Sequence, residues 1–162
     1  MDREAVRVSY RPQVVEILFV GESPPANGDF FYVSSAMTSH MAHVFETIST
    51  TRFASSSEFL DFFKAKGCYL DDISHDPVDH LARAERKRAL GHCVDSFGAR
   101  LAYYDPKLVV AILKSIETYV NRAAESAHII CPVHAVPFPG QGHQRRFAAE
   151  LLQILRPFYG FA

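Results

Sequence analysis

Glu22 is the side chain around which chemistry is simplest to write. It stands in Gly21-Glu22-Ser23-Pro24-Pro25, directly after the apolar run Val14 to Val20. A carboxylate delivered by the loop behind a buried strand can orient water or stabilise a neighbouring cation. Pro24 and Pro25 stiffen that loop, so little entropy remains to be lost against a ligand. Phe30, Phe31 and Tyr32 follow, aromatic faces on which a planar group can stack. Near the other end, Gly140 and Gly142 precede a helical stretch with Arg145 and Arg146 in its first turn, a combination that suits a phosphate. His134 and His143 bring imidazoles to the same region. Each feature also has a plainer reading. The first loop can be a simple turn with Glu22 in solvent and the three aromatics in the core, and the two arginines a solvated helix face.

Other constellations carry less. Ser23 follows a strand, as an esterase nucleophile would, but it lacks the Gly-x-Ser-x-Gly elbow, and Pro24 has no N–H for an oxyanion. His40 with His43, and the segment from His75 to His80 with Asp76 and Asp79, have ligand-like spacings. Neither matches a zinc signature or has an evident third ligand, so no metal is expected. Cys68, Cys93 and Cys131 are odd in number and contain no Cys-x-x-Cys pair, which signals neither a disulfide framework nor an iron-sulfur site. No glycine-rich nucleotide loop is present, and no cofactor is expected.

The elements that must position these groups follow from periodicity. Val14 to Val20 is a nearly continuous apolar run and Leu108 to Leu113 a continuous one, both read as central strands, with Cys68 to Ile73 and Val133 to Val136 as shorter ones. Helical spacing appears in Met37 to Ile48, in a segment capped by Ser56 or Ser57 and stopped at Gly67, in Ser115 to Ser126 and in Gln144 to Leu155. Asp76 to Tyr104 should be mostly helical, with Gly91 and Gly98 as weak points and Arg83, Arg86, Lys87 and Arg88 as a solvated basic face. Alternating strands and helices predict an α/β fold: three α/β/α layers around a mostly parallel four-stranded sheet, its site at the carboxyl ends of the strands. The first and last strand loops should converge there.

With 162 residues and no repeat or linker, one domain over 1–162 is expected. Hydrophobic residues at 48% and charged ones at 22% exclude a disordered chain. A net charge of -1 excludes binding nucleic acid by a bulk basic surface, so any DNA contact must be local. No run approaches the ~20 apolar residues of a membrane span, and a cytoplasmic monomer is expected.

The segment Ile17 to Tyr32, ILFVGESPPANGDFFY, resembles the strand-then-Gly-Glu-x-Pro motif of the uracil-DNA glycosylase superfamily. The resemblance implies a monofunctional DNA glycosylase that hydrolyses the N-glycosidic bond of uracil or a related base. Glu22 takes the polar catalytic position, Gly21, Ser23 and Pro24 the surrounding loop, and Phe30, Phe31 or Tyr32 the base-stacking position. The family's second motif, typically His-Pro-Ser, corresponds to the segment after Val133, where Phe138 stands in the histidine's place, followed by Pro139 and Gly140. A phenylalanine cannot donate to a base carbonyl. Either His143 or His134 substitutes, with Arg145 and Arg146 meeting carbonyl or phosphate, or the glycosylase chemistry is weakened or absent. The alternative is a non-catalytic nucleic-acid or nucleotide-binding module on the same fold. The cysteines of the family's iron-sulfur members are missing, so the resemblance is to a cluster-free branch.

Overall fold

The computed structural model describes residues 1–159; residues 160–162 of the expected domain lie outside it. Four strands, β1 (Ile17–Gly21), β2 (Cys68–Asp72), β3 (Leu108–Ala111) and β4 (Val133–Ala135), form one all-parallel sheet in the order β2-β1-β3-β4. Ile17 lies beside Cys68 on one side and Leu108 on the other, so β1 is paired on both edges and all five of its residues are buried. A strand in that position must be apolar on both faces, which is why it reads as an unbroken hydrophobic run. β4 is one edge of the sheet, opposite β2, and its central residue His134 is exposed.

Among the described residues, six α-helices complete an α/β fold of three α/β/α layers: α1 (Arg3–Ser9), α2 (Ala36–Ser49), α3 (Ser56–Ala65), α4 (Arg83–Tyr104), α5 (Glu117–Ser126) and α6 (Gln144–Tyr159). α2 packs on α3 and α6, and α4 packs on α5. The Phe19 ring of β1 meets Phe45 of α2 at 6.3 Å and Phe63 of α3 at 5.4 Å, which fixes these helices on one face. Among the described residues, no helix is long and apolar enough to cross a membrane.

Several boundaries differ from the sequence reading for local reasons. β1 begins at Ile17, because Val14 is 61% exposed and precedes the sheet. The cap of α3 is Ser55, whose side chain accepts from the Glu58 N–H, so neither Ser56 nor Ser57 serves. Gly67 follows the C-cap at φ +71, as the stop signal predicted. Helix α4 begins at Arg83, and residues 76–82 form a loop tied to the first loop by side-chain caps described below. It runs unbroken through Gly91 and Gly98, and Gly98 sits against the main chain of Ala123 in α5, where a Cβ would lie 3.3 Å from a carbonyl oxygen. The charged N-terminus hides a helix, α1, capped by Asp2 through the Ala5 N–H.

Candidate functional site

A cavity of about 390 Å³ opens at the carboxyl edge of the sheet, where β1, β2 and β3 end. This is the location expected of a site in an open parallel sheet. Gly21, Glu22, Ser23, Pro24 and Pro25 form one wall. That loop is held from two sides. The Ser23 hydroxyl oxygen accepts from the Val78 N–H at 3.1 Å, and the Asp79 carboxylate accepts from the Ala26 N–H at 3.1 and 3.2 Å. From α1, Arg3 donates to the Pro25 carbonyl at 3.1 Å. Ser23 is thus a structural acceptor, and the His75-to-His80 segment braces the loop.

Glu22 does not point to open solvent. Its side chain is 11% exposed and forms an ion pair with Arg86 of α4, and both residues line the cavity. Arg86 therefore departs from the solvated basic face expected of it, while Arg83, Lys87 and Arg88 remain exposed. Phe30 and Phe31 line the cavity as well, and Arg7 sits over the Phe30 ring at 5.5 Å. Tyr32 has a different task. Its hydroxyl donates to the Leu70 carbonyl at 2.8 Å and accepts from the Leu70 N–H at 2.6 Å, and its ring stacks on Tyr10 at 5.4 Å. It is a core post and is not among the residues lining the cavity.

From the last strand's loop, Phe138 reaches the cavity wall and is 47% exposed. A Cβ on Gly140 would come within 2.6 Å of its ring, so the glycine makes room for it. The two expected loops do meet, through Phe138. His143, Arg145 and Arg146 are exposed and do not line the cavity, and Arg146 is engaged with Glu150 at 2.9 Å. No histidine lines the cavity among the described residues. His43 and His80 are exposed, and no group of three or more His, Cys, Asp or Glu could hold a metal ion among the described residues.

The group that sequence reasoning missed is acidic and lies at the end of β2. Asp71 and Asp72 are 0% and 5% exposed. Buried carboxylates require partners, and α1 and α4 supply them. Arg7, itself 1% exposed, donates from Nη2 to Asp72 Oδ2 at 2.8 Å and from Nη1 to Glu4 at 2.8 Å. Its Nε lies 3.6 Å from Asp71 Oδ1, beyond hydrogen-bond reach. Asp71 accepts from Arg100 Nε at 2.7 Å, from the Tyr104 hydroxyl at 3.0 Å and from the Asp72 N–H at 2.8 Å, and it is hydrogen-bonded to His75 Nε2 at 2.8 Å. Arg100 also donates to the Asp72 carbonyl at 2.6 Å.

These surroundings separate the two neighbours. Burial opposes the charge of Asp71, but the His75 hydrogen bond and the guanidinium groups of Arg100 and Arg7 outweigh it and hold the carboxyl down at about 2. For Asp72, burial outweighs the attraction of Arg7, and the charge of Asp71 adds to it, so the carboxyl is pushed up to about 6. Asp72 lines the cavity; Asp71 does not. A signal for the pair existed in the sequence: two acids closing an otherwise apolar strand, Cys68 to Ile73, demand buried cations somewhere in the chain.

The cavity thus joins an ion-paired carboxylate, a buried acid and three phenylalanines. No protein-family model and no curated protein matches the chain.

Proposed function

We propose that this cavity binds a nucleobase with its sugar and hydrolyses the N-glycosidic bond between them, as a DNA glycosylase-like enzyme acting on uracil or a related base. The observation that carries this is the meeting of Glu22, held by Arg86, with Phe30, Phe31 and Phe138 around one cavity at the sheet edge. Its volume of about 390 Å³ falls at the small end of the ~300–1,000 Å³ typical of ligand sites, which suits a base and sugar. Rupture of a glycosidic bond develops positive charge on the sugar, which a fixed carboxylate offsets while it orients water. Aromatic faces accept a base taken out of its stack. The resemblance of Ile17 to Tyr32 to the glycosylase motif supports the same chemistry.

DNA would meet the cavity mouth through a few cations, since the net charge is -1. The exposed Arg83 lies one turn before the cavity-lining Arg86 on α4 and suits a phosphate.

One observation favours a second reading, a nucleic-acid or nucleotide-binding module without catalysis: no histidine lines the cavity among the described residues. One experiment separates the two. Oligonucleotides carrying uracil, hypoxanthine or xanthine are incubated with the protein and scored for abasic sites. Base release that falls by about 10²–10⁴-fold in Glu22→Ala supports the enzyme. Oligonucleotide binding with no release above the Glu22→Ala control supports the module and excludes the enzyme.

A further inference from the structure

We propose that Asp72 is the acid of this site, its carboxyl Oδ1 donating a hydrogen bond and then a proton to the departing base. The inference rests on the N-glycoside reading above and supplies the donor that a histidine would otherwise provide.

Asp72 is 5% exposed and its two oxygens have different surroundings. Oδ2 accepts from Arg7 at 2.8 Å, so a proton carried by this carboxyl sits on Oδ1. Oδ1 has no hydrogen-bond partner among the described residues, and it is not among their fully enclosed unpartnered atoms. It therefore touches open space, and the space that Asp72 lines is the cavity. Gly21, on the adjacent strand, is what leaves that oxygen free: a Cβ there would overlap Oδ1. A buried polar atom left open toward a cavity is a group awaiting a partner.

The charged and titratable groups around it are fixed. Arg7 and Glu4 approach from α1, Asp71 precedes it on β2, His75 follows, and Arg100 arrives from α4 on its carbonyl. Glu22 and Arg86 complete the cavity wall beyond Gly21. In this setting the carboxyl is pushed up to about 6 by burial and holds its proton near neutral pH better than an ordinary aspartate. Two carboxyls share one cavity, Glu22 paired to Arg86 and Asp72 to Arg7 through Oδ2 alone, and they divide the work of base and acid.

The step balances without another reagent. As the C1′–N bond breaks, its electron pair passes to the base, which takes the Oδ1 proton. The oxygen of water bonds to C1′, and the proton that water loses passes to Glu22. Asp72 ends as a carboxylate held by Arg7, Glu22 ends protonated, and exchange with solvent restores both.

The test is leaving-group dependence. Single-turnover release of uracil and of 5-fluorouracil, whose anion leaves more readily, is measured from matched oligonucleotides between pH 5 and 8. Asp72→Asn should slow uracil by about 10²–10⁴-fold and 5-fluorouracil much less, while circular dichroism shows an intact fold. Equal slowing of both substrates, or none, would overturn the acid role and leave the glycosidic reading standing. Should the variant fail to fold, the wild type decides. Its ratio of 5-fluorouracil to uracil rates should widen as pH rises through about 6, and a constant ratio overturns the proposal. Absence of release from either substrate by the wild type overturns the glycosidic reading and the acid role together.

Discussion

Asp71 and Asp72 are adjacent in one strand, yet their stabilities respond to pH in opposite senses. Asp71 is held at about 2, so the native state keeps it charged, and the stability this gives is present above pH ~4 and lost as pH falls toward 2. Asp72 is raised to about 6, so the native state holds its proton more tightly than the unfolded chain, and stability is lost as pH rises from ~4 to about 6. Thermal melts across pH 2 to 8 should therefore show a maximum near pH 4 from this pair. Asp72→Asn should flatten the decline above it, on the order of 1–3 kcal/mol, and leave the acid limb intact. An unchanged decline in the variant would show that Asp72 is not the group responsible. Glu22 and Gly21 belong to the same scale: one presents a carboxylate to the cavity, the other owes its identity to the oxygen of Asp72 beside it.

Helix α1 shows what an element can do that its own sequence does not announce. Seven residues are too few to be stable as an isolated helix, so its tertiary contacts must hold it in place. Chief among them is Arg7, which enters the protein between the cavity-lining Phe30 ring and the two aspartates. Arg7→Met keeps an unbranched apolar stem and removes the guanidinium charge. It should cost about 3–5 kcal/mol in urea unfolding, because Asp72 and part of the field on Asp71 are left buried and uncompensated. A loss below about 1 kcal/mol would mean that the carboxyls neutralise without cost. Helix α4 has a double role of the same kind, carrying Arg86 to Glu22 near its start and Arg100 and Tyr104 to Asp71 near its end. The span from Arg86 to Tyr104 along one helix is what ties the two carboxyl sites together.

At the scale of the whole molecule, the net charge of -1 offers a polyanion little bulk attraction, so the proposed DNA contact must be local. Even with all three exposed cations of this stretch of α4, Arg83, Lys87 and Arg88, on phosphates, log K for an oligonucleotide should fall against log salt with a slope no steeper than about -3. A steeper slope in a fluorescence titration would demand a larger basic surface elsewhere. Local sequence was enough to define the frame. Apolar runs with helical patterns between them define four strands and five of the six helices, because burial of one face or both leaves a periodic trace in local sequence. It also located the first loop, since strand, glycine, acid and prolines are contiguous. The site's composition came from long-range contacts. Tyr32 went to the core and Phe30 and Phe31 to the cavity, although all three are neighbours, because Leu70 offers its main chain to the Tyr32 hydroxyl. Phe138 came to the cavity wall and His143 did not. Arg7 and Asp72 are separated by 65 positions, and Glu22 and Arg86 by 64. Pairings over such distances have no period for the sequence to show. They are set by which buried charge finds which partner once the sheet and helices close.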